Sequence, residues 1–501
     1  MGQPTTFNSP PKPTPSGSHM AAGTLQVFLA EALLLPTGLL TAAFLTRRLG
    51  PDGYGVLLLA TTIVSWIGWS ITSAFTRTTI KFIGEAEDWQ PVASAVLQLH
   101  LLLGGLAVAI VWALAEPIAQ ALGEPGMATY LRIFVFEVPI FCLAYVHRSV
   151  LVGLGKFSQR AIVTGSRWIA RMVLVIALVA AGLSVWGAIL GSVASALVEL
   201  LVCRFYVAPP LISHTRFSMR KLWGYAVPLF LLALSLRFYD KLDLLMLKLL
   251  GGTTAEAGFY GTAQNLSLMP SLFTLAFVPL LLATLTRTLK GGEVAKAKQL
   301  GRDAMRLVFL LLPFAGLSAG AASEIIQLLF SSTFLPAAPI FALLIFGAVA
   351  MAMIAVTTCI LTAASKPNWT IALTGPMVPM AIAADLWMIP NFGPMGAAIT
   401  STTVASLAAL ATILAIYLLW KVLPSFSSLG RSLLLCGLMF TVASLWSTPG
   451  WFLVVKLLVL GGIIPLGLLL LGEFSDRELD WLRSRIGAAL SSLSRKHRPS
   501  N

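Results

Sequence analysis

Charge is what this chain has least of. Only 11% of its 501 residues are Asp, Glu, Lys or Arg, whereas 57% are hydrophobic. A soluble domain carries about 25% charged residues, so a water-soluble fold is excluded as the organising unit. Cysteine is scarce too: Cys142, Cys203, Cys359 and Cys436 lie far apart, in or beside apolar stretches. Such spacing supports neither a disulfide framework nor a metal site and leaves them as small apolar fillers. Long polar segments are missing between the apolar ones. A soluble catalytic domain therefore has no room, and the activity must sit within the membrane. An enzyme is not expected, nor is a cofactor or a metal.

In place of polar segments the chain holds fourteen apolar stretches of membrane-spanning length. They lie at about 24–46, 54–76, 93–114, 130–150, 163–182, 185–206, 222–247, 257–285, 305–323, 336–362, 369–389, 395–419, 430–446 and 450–472. The basic residues test this division. With the N-terminus inside, 26 of the 34 lysines and arginines fall in cytoplasmic tails, loops or helix ends. Outer loops hold three, Arg47, Arg48 and Lys248, and the rest lie inside spans. The asymmetry predicts a multi-pass protein of the cell (inner) membrane with both termini cytoplasmic. It also explains the net charge of +14 without nucleic acid, because bases beside helix ends meet anionic lipid headgroups.

Residues 1–20 are rich in Pro, Ser and Thr and read as a disordered cytoplasmic tail, and Gly17 to Met20 (GSHM) resembles the remnant of a cleaved tag. Residues 473–501 read as a basic cytoplasmic tail. Between them the sequence repeats itself. Leu151 to Phe157 (LVGLGKF) ends the fourth stretch as Leu361 to Pro367 (LTAASKP) ends the tenth, an offset of 210. Trp186 to Ser192 (WGAILGS) opens the sixth as Met395 to Ser401 (MGAAITS) opens the twelfth, an offset of 209. Tyr54 and Tyr260 sit in comparable Gly-rich settings, an offset of 206. The pattern predicts an all-α protein of two six-helix lobes, 21–210 and 211–420, as parallel internal repeats. A C-terminal helix pair, 421–472, lies outside the repeat.

Arg48 to Gly55 (RLGPDGYG), Lys81 to Glu85 (KFIGE), and Asp243 to Gly251 (DLLMLKLLG) followed by Ala257 to Ala263 (AGFYGTA) then come in order. Together they resemble the polysaccharide and O-antigen flippases of the multidrug/oligosaccharidyl-lipid/polysaccharide exporter superfamily. The resemblance covers about residues 24–472. It implies alternating access and a substrate made of a glycan linked to an isoprenyl pyrophosphate, moved from the cytoplasmic to the outer leaflet. Two relatives in the same superfamily stay open: a lipid II-type flippase, and a cation-coupled multidrug exporter, against which the last two stretches argue, since such exporters usually have twelve spans and no C-terminal pair. A membrane glycan polymerase fits less well, because the outer loops are too short to carry acid, base or metal ligands.

Charges inside spans are costly and usually line water or partners, so they are the site candidates. Arg237, Asp240 and Lys241 share one helical face at i, i+3 and i+4, with Asp243 rotated away. They either line a hydrated cavity between the lobes that meets phosphate and sugar, or form a self-neutralised packing contact. Glu31, alone in the inner third of the first stretch, is either a proton carrier or one half of a salt bridge to a neighbouring helix. Arg47 and Arg48 either face an outer cavity mouth or snorkel to headgroups. Arg77 and Lys81 either greet a pyrophosphate or mark topology. Arg167 and Arg171 read as a snorkelling cytoplasmic stripe, His147 as interfacial, and Arg132, Glu137 and Asp385 as local structural charges. Expected partners are the lipid-linked glycan, membrane lipids, and H+ or Na+ as a coupling ion.

Overall fold

In the computed structural model, residues 26–213, 217, 223, 239, 241–448 and 450–474 are described. The N-terminal tail, the end of the C-terminal tail, and most of the expected seventh span lie outside them. The described chain is helical, with no strand among the described residues. In order the helices are α1 (Leu34–Glu85), α2 (Gln90–Ala121), α3 (Met127–Phe134), α4 (Glu137–Gly153), α5 (Phe157–Leu178), α6 (Ser184–Tyr206), α7 (Thr254–Ser267) and α8 (Met269–Lys290). There follow α9 (Val294–Phe309), α10 (Leu312–Gly320), α11 (Ala322–Leu329), α12 (Ala337–Ala363), α13 (Pro367–Thr374), α14 (Met377–Trp420), α15 (Phe426–Leu445) and α16 (Phe452–Leu470). A further helix covers 241–249.

Among the described residues, ten helical stretches are long and apolar enough to cross a membrane. Three of them, of 60, 50 and 53 residues, are far longer than a single crossing needs. Each breaks at a glycine in the left-handed region: Gly50 (φ 67), Gly182 (φ 93) and Gly393 (φ 55). A side chain with a Cβ is disfavoured in that conformation, so glycine sets where these long helices turn. Because residues 222–240 lie almost wholly outside the described chain, the number fourteen remains an expectation.

The turns matched in sequence share a helix-ending backbone, a form that also follows Leu122, Leu250, Gly291 and Leu471. After α4 the amides of Leu154, Gly155 and Lys156 donate to the carbonyls of Val150, Val152 and Leu151 at 2.8–2.9 Å. After α12 those of Ala364, Ser365 and Lys366 donate to Ile360, Thr362 and Leu361 at 2.9–3.0 Å. Gly155 and Ser365 both take positive φ, 74° and 59°. The second match is equally local. Beyond Gly182 the chain folds back so closely that a Cβ on Gly187 would meet the Leu178 carbonyl, and beyond Gly393 one on Gly396 would meet that of Met388.

The chain divides into two compact units. The first comprises Met1–Thr41, Ile63–Glu116 and Gly126–Ala233. Its core gathers Phe75, Ile83, Val96, Leu97, Val150 and Val163 from α1, α2, α4 and α5. The second comprises Ala42–Thr62, Pro117–Pro125 and Leu234–Asn501. Helix α1 thus leaves the first unit at its middle and returns to it.

Candidate functional site

In the second unit, two carboxylates on separate helices are buried: Asp243 on helix 241–249 and Asp385 on the first half of α14. The surrounding secondary structure is well anchored. Helix α7 opens with a capping box in which the Thr253 hydroxyl accepts from the Glu256 amide and the Glu256 carboxylate accepts from the Thr253 amide. That fixes Tyr260 two turns further on. The Tyr260 hydroxyl donates to Asp243 Oδ2 at 2.8 Å, and the Ser401 hydroxyl donates to the same oxygen. Ser401 comes from the second half of α14, beyond the Gly393 turn, and its carbonyl accepts from the Tyr239 hydroxyl at 3.1 Å. The Thr400 hydroxyl stands beside Asp385, and the charges of Asp385 and Asp243 act on each other. Neither oxygen of Asp385 receives a well-formed hydrogen bond among the described residues. The two buried carboxylates gather three hydroxyls, those of Tyr260, Ser401 and Thr400. A cation or a proton would relieve their mutual repulsion and desolvation.

In the same unit, the two motif segments quoted from the sequence meet. A Cβ on Gly55 would strike the Thr254 carbonyl, and one on Gly258 the Pro51 carbonyl. Tyr54 is buried with its ring 6.1 Å from that of Phe334. Arg47 donates to the Leu328 carbonyl at 2.5 Å. Lys248, expected in an outer loop, is instead buried and bonds Glu124 at 3.1 Å and the Thr254 hydroxyl at 3.0 Å.

A groove of about 540 Å³ runs along one face of α8, lined by Pro279, Leu282, Ala283, Thr286, Arg287 and Lys290. The spacing i, i+3, i+4, i+7, i+8, i+11 places apolar side chains along the groove and two cations at its end.

In the first unit, Glu199 on α6 is fully buried between two guanidiniums, Arg148 at 3.1 Å and Arg167 at 2.9 Å. Arg167 also faces Glu137 at 3.6 Å and lies over the Phe141 ring, 4.4 Å from its centroid. Burial of Arg167 corrects its reading as a snorkelling residue, since a snorkelling side chain keeps its head in water. His147 is likewise buried rather than interfacial, with Nδ1 2.7 Å from the Leu143 carbonyl.

The remaining sequence candidates are dispersed. Arg237 and Asp240 lie outside the described residues. Lys241 donates to Gln264 Oε1 at 2.7 Å. Glu31 pairs with Arg160 at 3.1 Å, the second of the two arrangements open to it. Arg48 lies 5.9 Å over Phe44 and Lys81 5.8 Å over Phe82. Arg77 lies in α1. Sequence reasoning missed Glu199 and gave Asp385 only a structural role. The signal for both was present, as each is an isolated acid inside an apolar stretch.

Comparison with known proteins agrees with this architecture. A family model described as "Polysaccharide biosynthesis protein" matches residues 44–339. The succinoglycan biosynthesis transport protein ExoT of Rhizobium meliloti (strain 1021) is 29% identical over 169 residues. That match covers 32% of each chain, so the chain spans about a third of the length of the curated relative it matches. Among solved structures, the lipid II flippase MurJ in an inward closed conformation aligns with a TM-score of 0.73 at 14% identity, over 89% of this chain and 97% of that one. An inward-facing multidrug resistance MATE family transporter of the MOP superfamily aligns at 0.66 and 14% identity, over 80% and 98%. The bent form of the Vibrio cholerae MATE transporter VcmN aligns at 0.55 and 16%, over 83% and 98%. At such identities these likenesses show a common fold.

Proposed function

The chain belongs to the polysaccharide biosynthesis protein family, and from that premise we propose that it flips an isoprenyl-pyrophosphate-linked glycan precursor from the cytoplasmic to the outer leaflet by alternating access. The observation that carries this reading is the family match over residues 44–339, together with a fold shared with flippases and exporters. The groove on α8 supports it chemically. Pro279, Leu282 and Ala283 offer an apolar bed to an isoprenyl chain, and Arg287 and Lys290 offer cations to a pyrophosphate. In this reading the intramembrane face of Arg237, Asp240 and Lys241 meets the passing headgroup.

Energy for the step comes from a coupling cation, H+ or Na+, held by Asp243 and Asp385. Both carboxylates are buried, their charges interact, and the hydroxyls of Tyr260 and Ser401 bond Asp243. A hard monovalent cation suits such oxygen donors. Its binding draws together helix 241–249, α7 and both halves of α14, so occupancy would bias the conformation of the second unit.

Cells lacking the chain test the proposal. The lipid-linked glycan should accumulate on the cytoplasmic leaflet while exported polysaccharide falls. Unchanged export with no accumulation would refute the flippase reading.

A further inference from the structure

A second cationic pocket lies in the second unit, away from the carboxylate pair and the α8 groove. It has a volume of about 460 Å³ and is walled by Arg302 and Arg306 of α9, by Ser425, Ser427 and Arg431 around the start of α15, and by Glu473 just after α16. Its charges are unevenly committed. Arg306 Nε donates to Glu473 Oε1 at 2.7 Å and Arg431 Nη1 to Oε2 at 3.1 Å, while Arg431 also holds the Gly472 carbonyl at 2.8 Å. These two arginines are therefore tied down by the buried Glu473 carboxylate. Asp303 accepts from Gln299 at 2.9 Å. Arg302, one turn before Arg306, is exposed and forms no ion pair among the described residues. Among the described residues, three guanidiniums and two carboxylates line the pocket, an excess of one positive charge.

We propose that this pocket binds the phosphodiester of an anionic phospholipid headgroup, gripped by Arg302 and the Ser425 and Ser427 hydroxyls. One negative charge on a phosphodiester matches the surplus charge. The hydroxyls of Ser425 and Ser427 lie 2.9 Å apart and can both turn toward a phosphate oxygen. A lipid is favoured over free phosphate by the pocket's apolar rim. Leu423 and Phe426 also line it, and Phe426 is 68% exposed beside the charged residues. A soluble anion has no use for that surface, whereas an acyl chain covers it. Position agrees, since α15 begins and α16 ends around the pocket, beside the middle of α9 and next to the basic loops. Basic pockets at helix ends on such a face are where anionic headgroups lodge.

Native mass spectrometry of the full chain, titrated with phosphatidylglycerol or phosphatidylcholine, tests the site. Phosphatidylglycerol should be retained in preference to phosphatidylcholine, and inorganic phosphate should not displace it. Arg302→Gln should weaken retention about fivefold, the effect of one cation near a phosphate. Lys296→Gln should leave it unchanged, because Lys296 lies outside the pocket and pairs with Glu293 on the same face of the protein. A melting curve for Arg302→Gln close to that of the parent confirms that the fold is intact. Equal retention of both lipids, or equal loss in the two variants, would overturn the proposal. Displacement by inorganic phosphate would make the pocket a free-anion site and overturn the lipid.

Discussion

The Tyr260 hydroxyl donates to the buried Asp243 carboxylate at 2.8 Å, which ties α7 to the helix immediately before it in sequence. The same oxygen takes the Ser401 hydroxyl from beyond the Gly393 turn, so three segments converge on one buried negative charge. Asp385, the acid beside it, has no such donors among the described residues. A buried carboxylate left in that state invites a cation or a proton.

Neutralising either acid should break coupling without breaking the fold. Asp243→Asn and Asp385→Asn should each lower cation-dependent transport at least about tenfold, or ~1.4 kcal/mol. Tyr260→Phe removes a donor but no charge and should cost less. Transport in reconstituted vesicles with and without an imposed H+ or Na+ gradient separates the three. Retention of the gradient response in Asp385→Asn would remove that residue from the coupling site.

In the first unit, Glu199→Gln leaves Arg148 and Arg167 buried without their shared counter-ion. Breaking a buried pair from one side costs about 3–5 kcal/mol, so the melting temperature in detergent should fall sharply. Glu293→Gln, which breaks an exposed pair with Lys296, should stay within about 0.5 kcal/mol of the parent.

Gly55→Val should destabilise the second unit by about 1–3 kcal/mol, as overpacking does elsewhere. The added side chain must displace the Thr254 carbonyl, which is backbone and cannot rotate away. Gly105→Ala is the control, since nothing lies within 4 Å of its Cβ position. Equal melting temperatures for the two variants would show that the Gly55 approach is loose.

Glu473 supplies a pH dependence. Burial tends to raise its pKa, but hydrogen bonds from Ser428, Arg306 and Arg431 outweigh burial and hold the carboxyl below its usual value. A folded pKa below the unfolded one means that its stabilisation is complete above the unfolded value of about 4.3. It is lost as pH falls through the lower folded value. The melting temperature of the parent should therefore drop on acidification through that window, and Glu473→Gln should flatten the drop. An unchanged slope would show that the clamp contributes nothing.

Much of this was legible in the sequence because membrane solvent imposes simple rules. Apolar length marked the crossings, and the Lys156 and Lys366 segments, 210 residues apart, end their helices in the same way. Charges inside the helices were harder to read. Arg167 looked like an interfacial residue because its partner, Glu199, lies 32 residues away and is brought to it by packing of α6 on α5. Asp385 and Asp243 are separated by most of the second unit, and only the fold makes them one cluster. Pairing across helices has no periodic signature in a single sequence, which is why spacing located Asp243 but not its neighbours.

The central claim rests on translocation itself, measured with the purified chain in liposomes holding a fluorescent isoprenyl-pyrophosphate oligosaccharide in one leaflet. The account predicts that the label reaches the opposite leaflet with its covalent structure unchanged. It further predicts that Arg237→Ala abolishes this, and that Arg237→Lys restores part of it, because a fork that grips two oxygens becomes a point charge. Liposomes in which the labelled lipid stays where it was placed, while a cationic drug is expelled, would contradict the account and make the chain a multidrug exporter.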